Sequence, residues 1–246
     1  MNRILFEASE IRSDGTVILR DFRADHIRKV LHGQAGQILK TGTVNGLIGS
    51  SRILACSDDA VTLTVNHTEE AAEPWIDLIL ALPRPKVMKR LWAQLAALGV
   101  GRIILLNAAK VEKFYFSSQW LDPAVYRPLL VEGLMQCGAA RLPEVTVSPL
   151  FKPFIEDDLD RLFPDQPFLL IADPAPAPTP AAFPASPSGR PILAIGPEGG
   201  WSRYERERLS EKGFKPFSLG GRILRTDTAC IALLAVLADR LKNGEG

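Results

Sequence analysis

Two apolar, strand-like runs near the C-terminal end, Pro191–Ile195 and Lys215–Leu219, each break off into a glycine-rich turn, and each turn runs into a helical pattern. A chain that repeats strand, turn and helix is restricted to folds in which the strands lie parallel and helices return the chain. Glycine at such strand ends lets backbone approach a ligand closely and adopt positive φ. Ligands in open α/β sheets sit where strands end and the chain switches direction. Two such turns within Ile192–Thr228 therefore predict one pocket with two walls. The first wall is Gly196-Pro197-Glu198-Gly199-Gly200. Behind it, Ser202 and Glu205 form a capping-box pattern that predicts a helix from Arg203, with Gly213 as its stop. Helix N-termini attract anions, but neither the Lys-Ser/Thr of a P-loop nor an early G-x-G-x-x-G is present. Taken alone, the loop reads equally well as a tight turn without a ligand. The second wall, Leu219–Ala229, adds glycines, two arginines and a cap-type cluster ahead of an apolar helix.

Upstream the alternation continues. Ile76–Leu82, Arg102–Leu106 and Pro167–Asp173 read as buried strands, and Lys86–Leu98 and Pro123–Cys137 as helices stopped by Gly99 and Gly138. Residues 1–70 read differently. Arg3–Phe6, Thr16–Leu19, Gln37–Lys40, Leu47–Leu54 and Ala60–Val65 are short and β-rich, with one helical stretch at Ala24–Leu31. That predicts a small barrel over residues 1–72 and an α/β domain over 73–246, with the polar Glu69–Pro74 between them. Pro174–Pro191 holds seven of the nineteen prolines, which predicts an extended surface loop. Thr228–Leu241 is apolar on more than one stripe, which predicts burial all round, by the domain core or by a second subunit.

A formal net charge of +1 says nothing about nucleic acid. Arg84–Lys113 carries seven basic residues against one acidic residue, Glu112, which reads as either a solvated helix face or a phosphate-tracking patch. No apolar run approaches the roughly 20 residues of a membrane span, and Arg3, Glu7 and Glu10 do not fit a signal peptide. Cys56, Cys137 and Cys230 are scattered without a C-x-x-C, so neither a disulfide framework nor a metal site is expected. A cytoplasmic protein with no membrane partner is the expectation.

G-P-E-G-G at Gly196–Gly200 and L-G-x-R-I-L-R-T-x-T-A at Leu219–Ala229 together resemble the bacterial small-subunit (16S) ribosomal RNA (uracil-N3)-methyltransferases of the SPOUT, or α/β trefoil-knot, superfamily. Ala96–Val100, Gln136 with Arg141 and Pro143, and His26–Leu31 extend the likeness over nearly the whole chain. The resemblance implies an α/β fold: a C-terminal knotted parallel-sheet SPOUT methyltransferase domain preceded by a small N-terminal PUA-like β-barrel that binds RNA. It also implies a homodimer through the knotted domain, S-adenosyl-L-methionine as methyl donor, ribosomal RNA of the small subunit as substrate, and no metal. The chain departs from the family at His32, where arginine is usual, and at Asp227, where glutamate is usual. Two rival readings are a SPOUT methyltransferase acting on another RNA or base, and a non-catalytic RNA-binding relative.

S-adenosylmethionine needs backbone groups for its adenine edge and apolar walls. Expected cofactor contacts are Gly196, Pro197, Glu198, Gly199 and Gly200 on one wall and Leu219, Gly220, Ile223, Leu224 and Thr226 on the other. Ile171, Ala172 and Asp173 supply a third strand end. Glu198 either faces the cofactor or fixes the turn. The expected catalytic residues are Arg225, whose planar fork suits uracil oxygens or a phosphate, and Asp227, either a proton acceptor or the cap of the last helix. RNA contacts are expected at Arg28, Lys29, Lys86, Lys89, Arg90 and Arg141, and a structural role at His26.

Overall fold

The computed structural model describes residues 1–164, 168–173 and 189–243. The chain divides into two compact units, Met1–Glu73 with the returning segment Val131–Leu142, and Pro74–Leu130 with Pro143–Gly246.

In the first unit, β1 (Ile4–Phe6), β2 (Thr16–Leu19), β3 (Ile38–Thr43), β4 (Ile48–Cys56) and β5 (Val61–Glu69) form one sheet in the order β1-β3-β4-β5-β2. β1 and β3 run parallel and the other pairs antiparallel. Where the short-strand pattern predicts a barrel, the described residues form an open five-stranded sheet, because its edge strands β1 and β2 make no ladder with each other. Helix α1 (Phe22–Lys29) begins at Asp21, whose carboxylate accepts the Arg23 N–H at 2.9 Å, and buries Ala24 and Ile27. Phe6, Val17, Leu19, Ile27, Ile53 and Leu63 fill the core behind the sheet. The returning segment is held by Arg3, which donates to the Gly138 carbonyl at 2.8 Å, and by Asn45, whose Oδ1 accepts the Leu142 N–H at 2.7 Å.

One polar cluster interrupts this core. Thr41 and Ser51 are buried and share a 2.7 Å hydrogen bond, while the two ring nitrogens of His67 meet Thr41 Oγ1 at 2.8 Å and Thr43 Oγ1 at 3.0 Å. Burial, reinforced by the charge of Arg3, lowers the imidazole pKa below its ordinary 6.5. The unfolded chain therefore takes up this proton more readily than the folded one. Stability contributed by neutral His67 is complete above that ordinary value and declines as pH falls from it toward the folded pKa. Thermal melts between about pH 7 and about pH 5 should show a steeper loss for the wild type than for His67→Asn; parallel curves would contradict this role for the imidazole.

The second unit alternates strands and helices. Its elements are β6 (Ile76–Ala81), α2 (Pro85–Ala97), β7 (Val100–Leu106), α3 (Pro123–Cys137, which continues into the first unit) and β8 (Glu144–Ser148). Short helices α4 (Phe151–Pro153) and α5 (Leu159–Leu162) flank a π turn at Phe154–Asp158. Then come β9 (Leu169–Ala172), β10 (Ile192–Ile195), α6 (Arg203–Glu211), β11 (Lys215–Phe217) and α7 (Thr226–Asn243). Six strands form one sheet, β11-β9-β10-β6-β7-β8, with every pair parallel. β6 and β10 are buried along their whole length, as strands covered on both faces must be. The polar exception, Asp77, accepts the Arg102 N–H at 2.8 Å and pairs with Arg190 at 3.2 Å. Burial nonetheless raises its pKa against the pull of Arg190 and Arg102.

α7 begins two residues earlier than its apolar pattern suggests, and it is not buried all round. Cys230, Leu233, Leu234 and Leu237 are buried on one side, where the helix packs with α2, whereas Ile231 is 38% exposed and Ala235 is exposed. The described residues of this unit cover one stripe only. The proline-rich loop expected at 174–191 lies, over residues 174–188, outside the described residues. Among the described residues no helix is long and apolar enough to cross a membrane.

Candidate active site

β11, β9 and β10 are neighbours in the sheet and parallel, so their C-terminal ends share one edge. Asp173, Gly196 and Ser218 follow those ends directly, and the Asp173 N–H donates to the Phe217 carbonyl at 3.2 Å. Between them lies a cavity of about 270 Å³.

The first wall is a tight turn in which the Pro197 carbonyl accepts the Gly200 N–H at 2.8 Å, with Gly200 at φ +67. A side chain at Gly196 would meet the Trp201 indole at 3.1 Å, so its absence lets Trp201, 3% exposed, close beneath the turn. Two residues fasten this wall. Lys110 Nζ donates to the Gly199 carbonyl at 2.6 Å. Glu205, 2% exposed, completes the predicted capping box: Oε2 accepts the Ser202 N–H at 2.7 Å, and Ser202 Oγ accepts the Glu205 N–H at 3.2 Å. Its other oxygen accepts the Ala109 N–H at 2.6 Å, tying the glycine turn to the exit of β7. Glu198 Oε1 accepts the Arg84 N–H, at the start of α2, at 3.3 Å. That hydrogen bond fixes the turn, while Glu198 also lines the cavity.

In the second wall, Ser218 Oγ accepts the Gly220 N–H at 3.1 Å and donates to the Gly220 carbonyl at 3.2 Å. Gly220 has φ +102, and a side chain added there would meet nothing within 4 Å. Leu219, Ile223 and Leu224 present apolar surface, with Ile223 83% exposed, while Thr226 is buried.

Every expected cofactor contact lines the cavity except Ile171. Ile171 is buried within β9, and strand alternation sends it and the cavity-lining Ala172 to opposite faces. Neither Arg225 nor Asp227 lines the cavity. Arg225 precedes α7, its carbonyl accepting the Ala229 N–H at 2.7 Å, and its side chain is exposed. Asp227 is not the cap of the last helix but sits inside its first turn, because α7 starts at Thr226. There it pairs with Arg90 at 2.6 Å, which lowers its pKa. Of the expected RNA contacts in the second unit, Lys86, Lys89 and Arg90 are exposed on α2. In the first unit, Arg28 pairs with Asp25, as does Lys29 at 3.4 Å. Arg141 is taken up by Glu70 at 3.2 Å, Glu73 at 2.9 Å and the Asn45 carbonyl at 3.0 Å, which makes it a tether of the returning segment. His26 Nε2 is buried without a hydrogen-bond partner among the described residues. Sequence reasoning missed Lys110, Trp201, Arg206, Phe217, Ser218 and Arg222 in the lining. Trp201 follows the glycines directly and was within reach of the motif, whereas Lys110 stands 89 residues from Gly199 with no pattern to connect them. Among the described residues no cluster of three or more His, Cys, Asp or Glu is placed to hold a metal.

The family model of the RNA methyltransferase domain matches residues 70–238. Ribosomal RNA small subunit methyltransferase E of Treponema pallidum (strain Nichols) is 33% identical over 244 residues, covering 97% of this chain and 91% of that protein. Ribosomal RNA small subunit methyltransferase E 1 of Borreliella burgdorferi is 24% identical over 250 residues, covering 99% and 100%. Among solved structures, the ribosomal RNA small subunit methyltransferase E from Neisseria gonorrhoeae, bound to S-adenosyl methionine, superposes with a TM-score of 0.75 over 98% of this chain and 97% of that one, at 24% identity. The match over most of the chain and the 33% identity to the Treponema protein decide the matter: this chain belongs to the RNA methyltransferase family that includes the ribosomal RNA small subunit methyltransferase E proteins.

Proposed function

We propose that this protein transfers the methyl group of S-adenosylmethionine to N3 of a uridine in small-subunit ribosomal RNA. The observation that carries the proposal is the pair of glycine turns at adjacent parallel strand ends, enclosing a cavity of about 270 Å³ with a largely apolar lining. The residues fit the cofactor. The glycine turns offer bare backbone, and Trp201, Phe217, Leu224 and Leu233 supply apolar walls. Open space beyond Gly220 leaves room for a ligand against its backbone. When bound, S-adenosylmethionine supplies an electrophilic methyl on a sulfonium.

Uracil N3 must lose its proton before or as the new bond forms, and the negative charge then spreads onto the two flanking oxygens. Arg225 is unpaired among the described residues and exposed beside the second wall. Its fork suits those oxygens or the adjoining phosphate. Asp227 is a poor proton acceptor, because the Arg90 hydrogen bond holds its carboxyl below the ordinary range. We assign it to positioning, as the anion that fixes Arg90 and favours the start of α7 through the helix dipole. Lys86, Lys89 and Arg90 at the N-terminal half of α2 suit RNA phosphates, helped by the dipole of the same helix. Within the first unit, the open sheet is assigned as the PUA-like RNA-binding domain over residues 1–72, with Arg28 and Lys29 toward RNA. Residues 73–246 are assigned as the knotted SPOUT domain, and the cytoplasm as the place of work.

Two variants separate binding from chemistry. Gly220→Val, strained at φ +102, fills the space against the cofactor and should abolish calorimetric binding of S-adenosylmethionine in a folded protein. Arg225→Lys keeps the charge but loses the bidentate fork. It should retain cofactor affinity while single-turnover methylation of small-subunit RNA falls by about 10²–10³. Unchanged cofactor binding by the valine variant would remove the cofactor from this cavity. Near-normal methylation by the lysine variant would give Arg225 a different role.

The functional unit proposed is a homodimer. The support is the outer stripe of α7, where Ile231 is 38% exposed and Ala232, Ala235 and Val236 are not fully buried. Light scattering at micromolar concentration should report twice the chain mass, and Ile231→Glu should halve it. An active wild-type monomer would refute the assignment.

A further inference from the structure

A strip of cations and aromatic rings lies beside the cavity in the second unit, and its aromatic residues have no role assigned so far. The chain leaving β7 is fastened to the first wall twice, by the Ala109 N–H on buried Glu205 at 2.6 Å and by Lys110 on the Gly199 carbonyl at 2.6 Å. Lys110 itself lines the cavity. The chain then winds into a 3-10 turn, Lys113–Ser117, in which Tyr115 is buried and Phe114 is 65% exposed. The Phe114 ring stands edge-on to Tyr115, with centroids 4.7 Å apart and planes at 82°. A second turn, Gln119–Leu121, carries half-buried Trp120, whose ring lies 4.8 Å from Lys89 Nζ and whose carbonyl accepts Trp92 Nε1 at 2.9 Å. Lys113 is exposed, and Glu112 is the one carboxylate in the segment 107–121.

Single exposed apolar side chains are ordinary. Phe114 is set apart by the combination of a ring held against a buried aromatic, two lysines, Lys110 and Lys113, just before it in sequence, and a short tether to the cavity. It stands four residues from Lys110, so the two Cα atoms are at most about 14 Å apart. That is a span of a few nucleotides. An exposed ring next to cations is what an unpaired strand needs: a face for a base and charge for its phosphates.

We propose that Phe114 is a base-stacking platform for the RNA substrate, taking an unpaired base next to the target nucleotide while Lys110 and Lys113 hold the flanking phosphates. The lysines fit that part: Lys110 uses one of three ammonium donors on Gly199, leaving two for a phosphate. This inference rests on the reading of the protein as an RNA methyltransferase.

The test measures affinity for a short uridine-containing single-stranded RNA and for purified small ribosomal subunits, cofactor affinity, and oligomeric state. It compares the full-length wild type with Phe114→Ala, Phe114→Leu and Phe114→Trp. Stacking is worth ~1–3 kcal/mol per base, so the alanine variant should bind RNA roughly 5- to 150-fold more weakly. The tryptophan variant should restore binding, and leucine, equally apolar but without a π face, should not. Cofactor affinity and oligomeric state should be unmoved. Wild-type RNA affinity in the alanine variant, or full rescue by leucine, overturns the platform. Dissociation of the alanine variant into monomers also overturns it, by showing that Phe114 is a subunit contact. A wild type that binds S-adenosylmethionine but neither RNA preparation defeats the substrate reading itself, which keeps the two failures apart.

Discussion

The carboxylate of Glu205 carries the architecture of the site. It is removed from water, and such a group is tolerable only when its oxygens are hydrogen-bonded. Its partners are backbone donors from two different places, Ser202 at the start of α6 and Ala109 beyond β7. One side chain therefore closes the helix that follows the glycine turn and anchors that turn to the neighbouring strand exit. Lys110, next to Ala109, is thereby brought onto Gly199, and the segment carrying Phe114 inherits its starting point from the same anchor. Without it, the first wall keeps its turn bond and the Glu198 and Lys110 contacts but loses its tie to α6 and to the exit of β7.

The second wall has a different basis. Ser218 folds the chain back onto Gly220, and the run to Thr226 is more exposed, including Ile223 at 83%. An apolar surface this open is in its lower free energy when covered. The proposed cofactor covers the cavity side, and the proposed second subunit covers the outer stripe of α7. The parallel sheet underlies both walls, because only parallel neighbours bring three strand ends to one edge.

What was legible in the sequence was local. Ser202 and Glu205 lie three residues apart, so their reciprocal hydrogen bonds can be read from spacing, and α6 starts and stops where they and Gly213 indicate. The inner strands β6, β7, β9 and β10 were equally readable from their largely apolar runs. β8 was not, since an edge strand with exposed Glu144, Thr146 and Val147 carries no such signal. The glycine turns indicated a pocket, but strand phase decided that Ala172 and not Ile171 faces it. Long-range pairings were invisible: Arg90 with Asp227, Arg141 with Glu70 and Glu73, and the second oxygen of Glu205 with Ala109. These pairings support the positioning role proposed for Asp227, and they engage Arg141, for which the resemblance suggested RNA contact, with Glu70 and Glu73. The barrel expected from short strands became an open sheet for the same reason, since closure depends on partners far apart in the chain.

The most direct measurement is cofactor affinity in Glu205→Ala. Truncation leaves the Ser202 and Ala109 N–H groups without their acceptor, each at a penalty of about 1–3 kcal/mol if it stays buried. Calorimetric titration with S-adenosylmethionine, run beside circular dichroism to establish that the variant is folded, should show affinity reduced by about tenfold or more. A folded Glu205→Ala protein that binds S-adenosylmethionine as tightly as the wild type would contradict the account, because the first wall would then hold its shape without the anchor.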